Sequence, residues 1–243
     1  MKKAFGLPIG LGALLLAQAA QAAEVAGKVV DPAKEWDHLW HELLIDIGIM
    51  GGIFAVLAAY WIYKYQAKSP DDIGTAPRSL SRAQMWAWAM VPAFIFMADD
   101  FFLAAKGWTV WNIYRTVPPN ALEVKVTASM WNWEFEYADG TKSTYYVDAK
   151  EGDGLVVPAG RPVVLRMTSL DVIHSFGLVK HRLKEDVMPG RITYIWFLPK
   201  EPEKTFVTCV EYCGTNHANM YAPVVAVPPA EFEQWLKKKA NKA

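Results

Sequence analysis

Two long apolar runs fill the first half of the chain, and short runs separated by turn residues fill the second. From Leu43 to Tyr63 the sequence is apolar except for Asp46, long enough at about 1.5 Å per residue to cross a hydrocarbon core of about 30 Å. A polar stretch from Lys64 to Arg82, interrupted by Pro70 and Pro77, leads to a second apolar run, Ala83 to Ala98, which resumes beyond Asp99 and Asp100 as Phe101 to Ala105. The pattern predicts transmembrane helices over about 40–64 and 84–107, with a loop at about 65–83 between them. Lys64, Lys68, Arg78 and Arg82 flank that loop and place it on the cytoplasmic side, so both ends of the hairpin lie outside. Trp86, Trp88, Trp108 and Trp111 fall near the ends of the second span, as interfacial aromatics do.

After Pro118 and Pro119 the runs become short and rich in β-branched and aromatic residues: Leu122 to Ser129, Trp133 to Tyr137, Thr144 to Val147, Val163 to Met167, Ile192 to Phe197, Thr205 to Val210 and Pro223 to Val227. Gly140, Gly152, Gly154, Gly160 and Pro199 punctuate them, which predicts an all-β sandwich or barrel over residues 116–228. Residues 229–243 read as an amphipathic helix with a Lys-rich tail.

At the other end, Lys2 and Lys3 precede an apolar stretch from Ala4 to Ala17 and two small-x-small sites. This is a secretory signal layout over residues 1–22, with the mature chain starting near Ala23 and residues 23–115 holding an outer N-terminal segment and the hairpin. The expected location is a bacterial inner membrane, with the β domain in the periplasm.

Lys+Arg and Asp+Glu balance at 25 each, so no basic surplus of the nucleic-acid-binding kind is present. Between Leu122 and Pro228 eleven basic residues face thirteen acidic ones, a net of minus two. Glu134, Glu136 and Asp139 could steer a basic partner if they surface together, and otherwise form an ordinary solvated face.

The chemistry is concentrated in CVEYCGTNHANM, which supplies Cys209, Glu211, Cys213, His217 and Met220, and in His174 thirty-five residues upstream of Cys209. Thiolates, imidazoles and a thioether together select copper over hard cations. A mononuclear electron-transfer copper site needs one Cys, whereas two thiolates can bridge two coppers. A Cys209–Cys213 disulfide and a two-Cys, two-His zinc site compete with this reading, and each leaves Met220 and Glu211 idle. His38 and His41, four apart at the start of the first helix, are further ligand candidates, and His181 reads as a surface residue.

These residues carry a resemblance to cytochrome c oxidase subunit II. Its CxExCGxxHxxM pattern is matched in full, His174-Ser175 begins its HS segment, and Lys184, Asp186, Pro189, Gly190 and Arg191 match its KxDxxPGR continuation. The run SMWNWEFEY, with Trp131, Trp133, Phe135 and Tyr137, resembles the family's aromatic cluster. The resemblance implies a two-helix anchor and a cupredoxin-like Greek-key sandwich holding two copper ions. Cys209 and Cys213 would bridge the coppers, with His174 and Met220 completing one and His217 and the Glu211 carbonyl the other. It further implies that the Glu211 side chain faces a magnesium ion shared with subunit I, and that Trp131 receives electrons from cytochrome c. A packed core aromatic is the competing reading of Trp131.

There is no CxxCH motif, so no haem is expected in this chain, and the expected partners are a haem-bearing subunit I, other oxidase subunits and an external electron donor. Oxygen reduction would take place in subunit I. The sequence departs from the family pattern at Phe176 and Val179, where a tryptophan and a proline are usual. Aligning Trp88 and Pro92 with the family's WxxxP puts Met85 where many relatives have a glutamate that opens a proton route. This keeps a copper-bearing subunit of a nitric oxide reductase open as the alternative; a quinol oxidase subunit and a copper-delivery protein fit the intact ligand set less well. Asp99 and Asp100 lie inside a span, where ionisable residues are costly, and mark either a polar contact with subunit I or an early end of the hydrocarbon region.

Overall fold

The chain is seen in a computed structural model that describes residues 29–72, 79–147 and 150–241. The expected signal peptide at 1–22 lies outside the described residues, as do the middle of the expected cytoplasmic loop and the last two residues of the tail.

Helix α1 spans Pro32–Tyr65 and helix α2 spans Arg82–Arg115, both long and apolar enough to cross a membrane. Both exceed the expected limits of 40–64 and 84–107. Hydrophobicity alone set those limits, whereas the chain obeys its local start and stop signals. At the start of α1, Asp31 Oδ1 accepts the Ala33 N–H at 3.1 Å and Pro32 occupies the first helical position, where its missing N–H costs nothing. At the end of α2 nothing stops the helix until the residues before Pro118.

The residues form two compact units, Trp36–Trp111 and the remainder. Within the first, Lys106 Nζ meets Glu42 Oε1 at 3.1 Å and ties α2 to α1. Helix α2 continues unbroken through Asp99 and Asp100. The last turn of α2 belongs to the second unit, where Trp196 Nε1 donates to the Ile113 carbonyl at 2.9 Å and Arg115 Nη2 meets Glu185 Oε2 at 2.7 Å.

Eleven strands among the described residues build that second unit as two stacked sheets. They are β1 (Leu122–Ser129), β2 (Asn132–Tyr137), β3 (Lys142–Tyr146), β4 (Glu151–Gly152), β5 (Leu155–Pro158), β6 (Val163–Ser169), β7 (His174–Leu178), β8 (Leu183–Val187), β9 (Thr193–Phe197), β10 (Glu203–Cys209) and β11 (Tyr221–Val227). One sheet runs β4-β3-β2-β1-β6-β9 and the other β5-β11-β10-β7-β8. The pairs β1·β6 and β11·β5 are parallel and all other pairs antiparallel. This is the cupredoxin-like sandwich expected from the sequence.

Alternation assigns the faces. Val124, Val126 and Ala128 of β1, Trp133, Phe135 and Tyr137 of β2, and Val163, Leu165 and Met167 of β6 point into the core. Helix α3 (Pro229–Ala240) closes one end by burying Phe232 against this core, while Trp235 Nε1 donates to Asp153 Oδ2 at 2.9 Å.

Candidate metal centre

The functional residues gather at one end of the second sheet, where β7 begins and β10 ends. His174 opens β7, Cys209 closes β10, and the chain from Val210 to Met220 loops out and returns as β11. Two backbone bonds fix the base of the loop: the Cys209 N–H donates to the Met220 carbonyl at 2.9 Å and the Val210 N–H to the Ser175 carbonyl at 3.0 Å. Inside the loop a short 3₁₀ turn over His217–Asn219 is held by the His217 N–H on the Gly214 carbonyl at 3.1 Å.

This path brings the sulfurs and imidazoles together. Cys209 Sγ lies 3.7 Å from Cys213 Sγ and 3.9 Å from His174 Nδ1. Cys213 Sγ lies 3.5 Å from His217 Nδ1 and 3.8 Å from Met220 Sδ. The Glu211 carbonyl oxygen is 3.1 Å from Cys209 Sγ, while the Glu211 side chain is on the surface. His174, Cys209, Cys213 and Met220 are all buried, and both cysteines are free thiols.

Burial pushes the Cys213 thiol above its ordinary pKa, and the adjoining Cys209 adds to the shift. Such a buried thiol resists ionisation in the absence of a cation, whereas a coordinated thiol gives up its proton. Five soft or borderline side-chain donors and one carbonyl, converging in an apolar pocket, fit copper.

One support escaped the sequence reading. Asp171 Oδ1 faces His174 Nε2 at 2.9 Å, which puts the ring proton on Nε2 and leaves the Nδ1 lone pair turned toward Cys209. The other Asp171 oxygen accepts the Met130 N–H at 2.6 Å. Burial alone would raise the Asp171 pKa, but the His174 contact and the N–H groups of Met130 and Val172 outweigh it and hold the carboxyl down to about 2. A carboxylate three residues before a histidine was a readable signal; its second bond, to the β1–β2 turn, was not.

Trp131 lies in that turn, half-buried, with no hydrogen-bond partner for Nε1 among the described residues. Its indole packs on Gly214 of the cysteine loop: a Cβ built there would lie 3.2 Å from the ring, and the φ of +127° at Gly214 also excludes ordinary side chains. The fully packed core aromatic is Trp133, whose ring meets His174 edge-on at a centroid distance of 6.1 Å.

The remaining candidates fall elsewhere. His41 Nδ1 sits 2.6 Å from the Asp37 carbonyl oxygen one turn back on α1, and His38 Nε2 lies 3.4 Å from Glu42. His181 is not a surface residue: it is buried against Phe197 and bonded through Nε2 to Glu203 Oε1 at 2.5 Å. The 3₁₀ turn over Val179–His181 rolls the ring inward, an effect that polarity alone does not reveal. Glu134 and Glu136 surface together but are matched by Lys142 at 2.9 Å and Lys125 at 3.1 Å, making a paired, solvated face.

Residues 122–227 match the family model described as cytochrome c oxidase subunit II, periplasmic domain. An alternative cytochrome c oxidase subunit 2 of Bradyrhizobium diazoefficiens is 27% identical over 232 residues, covering 85% of this chain and 82% of the relative. The cytochrome c oxidase subunit 2 of Lycodon semicarinatus is 31% identical over 164 residues, covering 62% of this chain and 70% of that protein. Among solved structures, the periplasmic domain of subunit II of cytochrome oxidase from Bradyrhizobium japonicum aligns at 30% identity with a TM-score of 0.48, covering 52% of this chain and 99% of that one.

Proposed function

The chain belongs to the cytochrome c oxidase subunit II family, and from that premise we propose that it is the electron-receiving subunit of a respiratory haem-copper oxidase. The observation that carries the reading is the convergence of Cys209 and Cys213 on His174, His217 and Met220 at contact distances. Cys209, Cys213, His174, His217, Met220 and the Glu211 carbonyl would together hold two copper ions, with the two thiolates shared between them. Held in this cage, copper would supply one-electron chemistry with little ligand rearrangement.

The protein's own residues do the rest. Asp171 fixes the tautomer and orientation of His174, Trp133 walls off water on that side, and the paired base of the loop holds both thiols in place. Trp131, half-exposed and packed on the cysteine loop, is the point at which electrons arrive from a cytochrome c type donor. The exposed Glu211 carboxylate would contribute to a magnesium site shared with a haem-bearing subunit I, which would take the electrons on to oxygen. The two apolar helices anchor the chain in a bacterial inner membrane with the sandwich on the periplasmic side.

Low-temperature electron paramagnetic resonance of the purified complex, with its copper-to-protein ratio, tests this. A seven-line hyperfine pattern from two coppers sharing one spin is expected; a four-line pattern or none overturns the relay. Met85, standing where many relatives carry a glutamate, favours a second reading as the copper subunit of a nitric oxide reductase. Haem content and turnover of the complex with oxygen against nitric oxide separate the two.

A further inference from the structure

Each helix of the hairpin carries its own depth marks. Exposed tryptophans stand at Trp40 and Trp61 on α1 and at Trp86 and Trp108 on α2. At about 1.5 Å per residue these pairs are about 32 and 33 Å apart along their helices, close to a hydrocarbon core of about 30 Å. Measured from the outer tryptophan of its helix, Asp46 lies about 9 Å deep and Asp100 about 12 Å deep. An early end of the hydrocarbon region therefore does not account for Asp99 and Asp100, because α2 runs on unbroken past Trp108 to Arg115.

Charge identifies what must face them. Residues 43–63 and 83–105 hold three carboxylates, Asp46, Asp99 and Asp100, and no Lys, Arg or His. The nearest cation along α2, Lys106, is already paired with Glu42 at 3.1 Å. Asp46 and Asp99 are partly covered, whereas Asp100 is exposed and has no hydrogen-bond or ion-pair partner among the described residues. Successive residues of a helix point about 100° apart, so Asp100 looks away from the side on which Asp99 is covered. A carboxyl group at this depth is costly in lipid, and such groups face another chain or a water-filled cavity and pair there.

We propose that a transmembrane helix of the haem-bearing partner subunit docks on the Asp100 face of α2, and that this helix presents a Lys or Arg side chain to Asp100 at a depth of about 12 Å. The inference rests on the reading of the chain as one subunit of a larger oxidase. Acids without a cation in this hairpin complement a cation without an acid on its neighbour. The pair fixes the register in which two otherwise apolar helices meet, because a slide of one turn leaves both charges unpaired in hydrocarbon.

The test purifies the complex in mild detergent through a tag on this chain and reads the haem retained per chain in wild type, Asp100→Glu, Asp100→Leu and Asp100→Lys. Leucine makes the span more apolar, so insertion of α2 is not impaired, and the copper content of each variant establishes that the sandwich is folded. Asp100→Leu and Asp100→Lys are expected to lower the retained haem by at least about fivefold, and Asp100→Glu to keep it within about twofold of wild type. Unchanged retention in Asp100→Leu overturns the proposal: with normal turnover the face belongs to lipid, and with slowed turnover to a proton path. Equal loss in Asp100→Glu overturns the charge pairing. A photo-crosslinking benzoylphenylalanine in place of Phe96, exposed one turn deeper on the same face, identifies the neighbour. A crosslink to a span of the haem-bearing subunit with a Lys or Arg within one turn is expected; a crosslink to lipid, to a second copy of this chain or to a span without such a cation overturns the proposal. If no haem-bearing subunit accompanies the wild-type chain, the oxidase reading and the docking fail together, whereas if one does, the variants and the crosslink decide docking alone.

Discussion

At the scale of the residue, the centre depends on groups that bind no metal. Asp171 holds the His174 ring and the Met130 backbone with one carboxylate, so its loss frees a candidate ligand and a turn together. Asp171→Ala is expected to weaken copper binding by about 10- to 100-fold, checked by titrating copper against a competing chelator. Glu203 anchors the opposite side of the unit. Burial pushes its pKa up, but bonds from Lys180 and His181 outweigh that and hold it below the ordinary glutamate value. A carboxyl with a lowered folded pKa contributes stability that is present above the unfolded value and lost as pH falls through the folded one. Thermal stability should therefore decline as pH drops below about 4.3, and Glu203→Gln should flatten that decline, as melting curves across acid pH will show. The candidate ligand cluster was legible because thiols, imidazoles and a thioether at such spacing have few other uses, and the fold brings their donor atoms together. Asp171 and His181 were not, because their partners at Met130 and Glu203 are distant in sequence and meet only in the fold.

At the scale of the element, strand β7 explains why part of the sandwich was hidden in the sequence. His174, Ser175, Phe176, Gly177 and Leu178 are all buried, so no polar–apolar alternation marks the strand. Gly177 admits the close approach of β10: a Cβ there would lie 2.7 Å from Val210 Cγ1 and 3.3 Å from the Thr208 carbonyl oxygen. Its neighbour β8 places Lys184, Glu185 and Asp186 in succession, a run that reads as a loop until β7 pairs with it. Strands β1, β2 and β6, by contrast, alternate openly and were found within a few residues of their true limits. Helix α3 was legible as amphipathic, and its docking rests on Phe232 beside Tyr137 and Trp235. Phe232→Ala is expected to destabilise the sandwich by about 3 kcal/mol, read as a lowered denaturation midpoint.

At the scale of the whole molecule, hydropathy made the anchor visible and motif spacing made the metal domain visible, because each depends on a local property of the chain. Copper bound to the folded site and not to the unfolded chain stabilises by mass action. Stripping it with a chelator is expected to lower the melting temperature of the second unit by roughly 10 °C or more, with restoration on adding copper back, as calorimetry would measure. The order of strands in the second sheet has a consequence for biosynthesis. Strand β11 sits between β5 and β10 and is the last strand among the described residues, so β5 has no hydrogen-bonding neighbour in its sheet until residues 221–227 are available. The growing chain can seat its helices in the bilayer early, but it cannot close the sandwich until residues 221–227 have left the ribosome and crossed the membrane. Folding of this domain is therefore an event after translocation, and the last strand delivered is the one that follows directly from the copper loop.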